Sequence, residues 1–101
     1  MDEQRRVAAF LDAHDLRTDP AYRVLDLSSE VGELAKEVNE STGYGSTPGA
    51  AAVAEDEVGD ALFCLLALAA ELDVEAGEAL ETAIEKYESR LASSGDPGSG
   101  A

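Results

Sequence analysis

Apolar residues recur along most of this chain at three- and four-residue intervals, the period of an amphipathic α-helix. Val7, Phe10, Leu11 and His14 mark a first short helix that ends before Thr18-Asp19-Pro20. Pro20 suits the first turn of a second helix, with Asp19 as candidate N-cap and Val24, Leu27, Val31, Leu34 and Val38 as its stripe. From Asn39 to Gly49 the pattern breaks at Gly43, Gly45 and Pro48, which predicts a loop. A third helix is expected from near Thr47 to Ala50 through about Leu72. Asp73 is a candidate cap for a fourth, whose stripe is Leu80, Ile84, Tyr87 and Leu91. The expectation is an all-α domain over residues 1–92, followed from Ser93 by a Ser-, Gly- and Pro-rich disordered tail.

The third helix changes this picture. Ala61 to Ala70 is apolar on every side, and such a helix needs cover all round, which a chain of 101 residues has few helices to supply. A second copy of the chain would furnish the missing wall. The stretch is about half of the ~20 residues that span a bilayer, and Met1 to Arg6 runs directly into amphipathic sequence. Neither a membrane partner nor secretion is expected. Cys64 is the only cysteine, so no intramolecular disulfide can form, which fits the cytoplasm.

Charge adds a second constraint. Asp and Glu number 22 against 7 Lys and Arg, a formal net charge of −15. A nucleic-acid polymer is excluded as partner, because phosphate backbones are held by Lys and Arg. An acidic, Lys-poor, Ala-rich composition points to a salt-adapted, halophilic source, where screening contracts to ~3 Å at 1 M.

Within this acidity two motifs stand out, Glu30-Val31-Gly32-Glu33 and Glu57-Val58-Gly59-Asp60. Residues three apart share a helix face, so each motif presents two carboxylates side by side. Two facing pairs would repel each other and take up protons unless a cation joined them. An all-oxygen set without clustered His or Cys suits a hard ion, Mg²⁺ or Mn²⁺, whose coordination is completed by water and substrate phosphates. Gly32 and Gly59 cost roughly 1 kcal/mol each in a helix interior. That cost implies close approach of the two helices, or room for metal and substrate. A di-iron carboxylate bundle is excluded for want of its two E-x-x-H histidines, since His14 is the only His and lies outside both motifs. Tyr44, between two glycines, is a candidate for stacking on a base or for local packing. Lys86 and Arg90 are candidates for phosphate contact or for pairing with neighbouring Glu residues.

The order Leu27-x-x-Glu30-x-Gly32-Glu33-Leu34, a loop, Glu57-x-Gly59-Asp60-x-Leu62, then Lys86-Tyr87-x-x-Arg90 resembles the MazG-like nucleotide pyrophosphohydrolases from roughly Pro20 to Leu91. In both, E-x-x-E precedes E-x-x-D; here 23 residues separate Glu33 from Glu57. The resemblance implies that Glu30, Glu33, Glu57 and Asp60 bind Mg²⁺ and that Lys86 and Arg90 lie near substrate phosphates. It further implies a four-helix-bundle-type fold completed by dimerisation, as a homodimer or homotetramer. The chain departs from many relatives in carrying Ala83 and Ile84 where an Asn precedes that Lys. The expected activity is Mg²⁺-dependent hydrolysis of a nucleoside triphosphate to the monophosphate and pyrophosphate, with Glu33 the candidate general base. Phosphoribosyl-ATP pyrophosphohydrolase is the neighbouring alternative, and a non-enzymatic acidic bundle the alternative of a different class.

The charge balance predicts that melting temperature rises on going from dilute to molar KCl, as screening relieves self-repulsion. Differential scanning fluorimetry over a KCl series measures this, and indifference to KCl would contradict the salt-adapted reading.

Overall fold

The computed structural model describes residues 1–95 of the chain, which form four α-helices. These are α1 (Asp2–Ala13), α2 (Pro20–Ser41), α3 (Glu55–Glu71) and α4 (Ala76–Ser94), with a single 3₁₀ turn at Pro48–Ala50. Pro20 opens α2 at its first turn, and Asp19 occupies the N-cap position but offers no side-chain cap. Thr42 closes that helix. Its buried hydroxyl donates to Val38 O at 2.7 Å and accepts from Gly45 N–H at 3.0 Å, so α2 continues past the expected break at Asn39.

The third helix begins later than the pattern suggested. Pro48–Ala50 forms the 3₁₀ turn, and Ala51 and Ala54 are extended at ψ 128° and 143°. Backbone donors of this segment turn to α2 instead of to a helix: Ala52 N–H bonds Ser41 Oγ at 2.9 Å, and Ala54 N–H reaches Glu37 Oε1 at 3.5 Å. Asp73 does not cap α4. It sits at φ +55° within the tight α3–α4 turn, and Glu75 is the cap, accepting Glu78 N–H at 2.6 Å. Gln4 braces that turn from α1, donating to Val74 O and accepting from Ala76 N–H, both at 2.7 Å. At its far end α4 takes in Ser93 and Ser94 and stops at Gly95, whose φ of +74° favours glycine. The expected tail lies, from residue 96, outside the described residues.

α2 and α3 pack antiparallel, and α1 lies against α3. Among the described residues Leu11, Leu66 and Ala67 are the fully buried apolar side chains. The helix expected to need cover on all sides is covered only in part, by α2 and α1: Leu66 and Ala67 face inward, while Leu62 and Leu65 are each 49% exposed. α4 approaches the other helices only sparsely. Its stripe of Leu80, Ile84, Tyr87 and Leu91 remains open, as do Val24 and Val31 on α2. The radius of gyration, 16.3 Å, exceeds the about 13 Å of a compact chain this long. No helix among the described residues is long and apolar enough to cross a membrane.

One end of the helix pair is fastened by charge. The Glu71 side chain, 6% exposed at the end of α3, accepts Thr18 N–H at 2.7 Å and Arg17 Nη1–H at 2.9 Å. Arg23 Nε stands 3.5 Å from the same carboxylate, and Arg17 also pairs with Asp12 at 2.8 Å. The Thr18 amide and then Arg17 hold the Glu71 carboxyl below its usual range. A carboxylate so depressed stabilises the fold fully above the unfolded value of about 4.3, and this is lost as pH falls through its folded value. We predict that Glu71→Ala costs about 3 kcal/mol, because it removes the acceptor of Thr18 N–H and Arg17 and leaves Arg23 only Leu16 O and Asp26, and that it flattens the loss of stability between pH 5 and pH 3. Urea denaturation of both proteins across that range measures both effects.

Candidate metal centre

At the other end of the same helix pair, acidic groups meet without compensation. Glu30 projects from α2, Glu57 and Asp60 from the first two turns of α3, and one oxygen of each lies within 4.8 Å of the others. None of the ion pairs among the described residues reaches these three. Burial, and then the charges of Glu37, Asp56, Asp60 and Glu30, push the half-buried Glu57 carboxyl above its ordinary value. Such crowding is what a cation relieves. Mg²⁺ binds oxygen at about 2.1 Å, which places opposed ligands about 4.2 Å and adjacent ones about 3 Å apart, so the three oxygens would draw together to share one ion. The donors are all hard carboxylate oxygens and fit Mg²⁺ or Mn²⁺ by their chemistry.

Other expected site residues stand elsewhere. Glu33, exposed on α2, does not join the three-oxygen group. Tyr44 is 82% exposed and sits at φ +57°, with its N–H bonded to Asn39 O at 2.7 Å. A tyrosine in this left-handed conformation carries strain on the order of 1 kcal/mol. Its ring projects from an ordered turn and is not engaged in local packing. Lys86 and Arg90 flank the Tyr87 ring, with Nζ 5.0 Å and Cζ 5.9 Å from its centroid, on the α4 helix that barely touches α2 and α3. His14 terminates α1 against Phe10, ring centroids 4.5 Å apart, in keeping with a helix-end residue. Cys64 is half-buried, and burial raises its thiol pKa, which suits an inert thiol.

The glycines of the two motifs also have a definite environment. A Cβ built at Gly32 or Gly59 meets nothing within 4 Å, so neither glycine serves close approach of α2 and α3 within the chain. Gly59 instead borders an open groove with Arg6, Phe10 and Phe63. Outside the two motifs, Glu37 adds its charge to the crowding of Glu57, and its seven-residue spacing from Glu30 returns it to the same side of α2.

With that geometry in place, comparison with known proteins identifies the class. Residues 20–93 match the model of the MazG nucleotide pyrophosphohydrolase domain, and the chain belongs to that family. It is 39% identical over 75 residues to the uncharacterized protein YpjD of Bacillus subtilis (strain 168), a match spanning 70% of this chain and 66% of that protein, just under two thirds. The crystal structure of Bacillus subtilis YpjD, a pyrophosphatase by attribution only, superposes with a TM-score of 0.71 at 36% identity, covering 88% of this chain and 92% of that one. The all-α MazG-like fold is thus shown.

The open space at both glycines gives a prediction. Gly32→Ala and Gly59→Ala should each stabilise the metal-free single chain by roughly 0.5–1 kcal/mol, through helix propensity alone. Denaturant midpoints in EDTA measure this; destabilisation by either change would reveal a tightly packed neighbour at that position.

Proposed function

We propose that this chain hydrolyses nucleoside triphosphates, (d)NTP and water giving (d)NMP and pyrophosphate, with Mg²⁺ or Mn²⁺ as cofactor. The observation that carries this reading is the convergence of Glu30, Glu57 and Asp60 on a MazG domain. When bound, the cation neutralises charge on the phosphates and makes water more acidic. Glu30, Glu57 and Asp60 would hold it, and Glu33, one turn from Glu30 but outside their three-oxygen group, would join as a fourth acidic ligand by turning its side chain toward the ion. Glu33 also takes the proton of the attacking water as general base, for which its solvent-facing position on α2 is suited. Water adds to the α-phosphorus, the bond to the oxygen bridging the α- and β-phosphates breaks, and pyrophosphate departs with the electron pair.

The remaining roles follow from what one chain leaves open. The exposed faces of Leu62, Leu65, Leu80, Ile84 and Leu91 favour a homodimer or homotetramer, since isolated chains rarely present so much apolar surface. In that assembly α4 packs on a neighbouring subunit, and Lys86 and Arg90 serve the phosphates of a site built by two chains. Tyr44 stacks on the base. α2 runs about 16 Å from Glu30 to its end at Ser41, and Tyr44 lies in the turn just past that end. A nucleotide-pool enzyme of this kind works in the cytoplasm.

The test is pyrophosphate release from a panel of dNTPs, NTPs and phosphoribosyl-ATP with Mg²⁺ in high KCl. Glu57→Gln and Asp60→Asn should lower turnover by at least about 100-fold, since losing a ligand exceeds the 10- to 100-fold loss typical of outer-shell partners. Glu3→Gln and Glu88→Gln should leave turnover unchanged. Wild-type turnover in either motif variant would remove the carboxylate centre from the reaction.

A further inference from the structure

Of the charges crowding Glu57, the leading one belongs to neither motif: it is Glu37. Glu37 lies seven residues after Glu30, nearly two helical turns, and so points within about 20° of it around α2, whereas Glu33 is rotated by about 60°. Antiparallel packing brings Glu37 to the start of α3. There Oε1 faces Ala54 N–H at 3.5 Å, and Ala54 is the N-cap of α3, with no side chain able to cap the helix itself. Oε2 is shut off from solvent and has no hydrogen-bond partner within the chain. An ionised oxygen held dry without a donor costs free energy, and no basic residue of the described ion pairs offsets it.

We infer that Glu37 is a positioning residue of the carboxylate centre: one oxygen anchors the first turn of α3, which carries Glu57 and Asp60, and the other supplies negative charge and an acceptor to the hydrated cation. This rests on the metal-binding reading of Glu30, Glu57 and Asp60. It accounts for both oxygens of Glu37, whereas a plain capping role accounts for one. It also gives the burial of an unpaired carboxylate a purpose, because the missing donor arrives with the ion. Outer-shell carboxylates of this kind typically change metal affinity by 10- to 100-fold.

The experiment uses the full chain as wild type, Glu37→Gln, Glu37→Ala and Glu57→Gln. Mn²⁺ affinity is read from the electron paramagnetic resonance signal of free Mn²⁺, and melting temperature is measured in EDTA. Glu37→Gln keeps an oxygen for Ala54 N–H and removes the charge, so its metal-free melting temperature should equal or exceed the wild type's while Mn²⁺ affinity falls about tenfold. Glu37→Ala should lose Mn²⁺ affinity and melt lower as well, with helical content by circular dichroism showing whether it folds. Wild-type Mn²⁺ affinity in Glu37→Gln, with Glu57→Gln defective, would overturn the role of Glu37 and leave the metal centre standing. If wild type and Glu57→Gln bind Mn²⁺ equally, or neither binds it, the reading of the centre itself fails, and that of Glu37 with it.

Discussion

The antiparallel contact of α2 with α3 governs the molecule, because it is electrostatically opposite at its two ends. At one end Glu71 is buried against Arg17, Arg23 and the Thr18 amide. About 16 to 21 Å away along α3, Asp60 and Glu57 face Glu30 with no basic partner among the described ion pairs. The first end is a closed ionic fastening in which each buried charge finds its counterpart. It supplies the rigidity that lets the second end hold like charges within 4.8 Å of one another. Without a fastening of this kind, the repulsion would be relieved by separating the helices.

The same contact explains how little of the chain is buried by itself. α3 can turn only one face to α2 and one to α1, so Leu62 and Leu65 are left over. α4, braced at its start by Gln4, carries a continuous apolar stripe into solvent. Apolar burial contributes about 25 cal/mol per Å², so surface on this scale is a large unused reserve of binding free energy. A dimeric or tetrameric assembly would draw on it.

The loop after α2 shows local chemistry overriding pattern. Thr42 and Ser41 bond the backbone of the following segment, Glu37 faces Ala54 N–H, and the start of α3 is displaced to Glu55. The carboxylates of the second motif therefore stand in the first two turns of α3, beside free backbone N–H groups that favour negative charge. An Ala-rich segment with high helix propensity is held extended because hydrogen bonds to α2 satisfy donors of Ala52 and Ala54.

Periodicity by itself determined the four helices, since the 3.6-residue recurrence of apolar positions does not depend on what covers them. It also suggested that the two acidic motifs meet, but spacing treats Glu30 and Glu33 alike, and only the packed helices bring Glu30 to Glu57 and Asp60 and leave Glu33 outside. The family match was legible in the same motif order. Other features required the tertiary structure. That Asp73 lies in a left-handed turn and Glu75 caps α4 depends on the path of the backbone, which composition does not encode. The Glu71 fastening joins residues more than fifty positions apart, and nothing in an acidic sequence distinguishes that glutamate from its neighbours. Glu37 lies outside both E-x-x-E/D spacings and enters the centre only because antiparallel packing carries the start of α3 past it. Sequence spacing reports which residues share a helix face; which face meets which partner, and which charge is left dry and unpaired, is settled only when the helices pack.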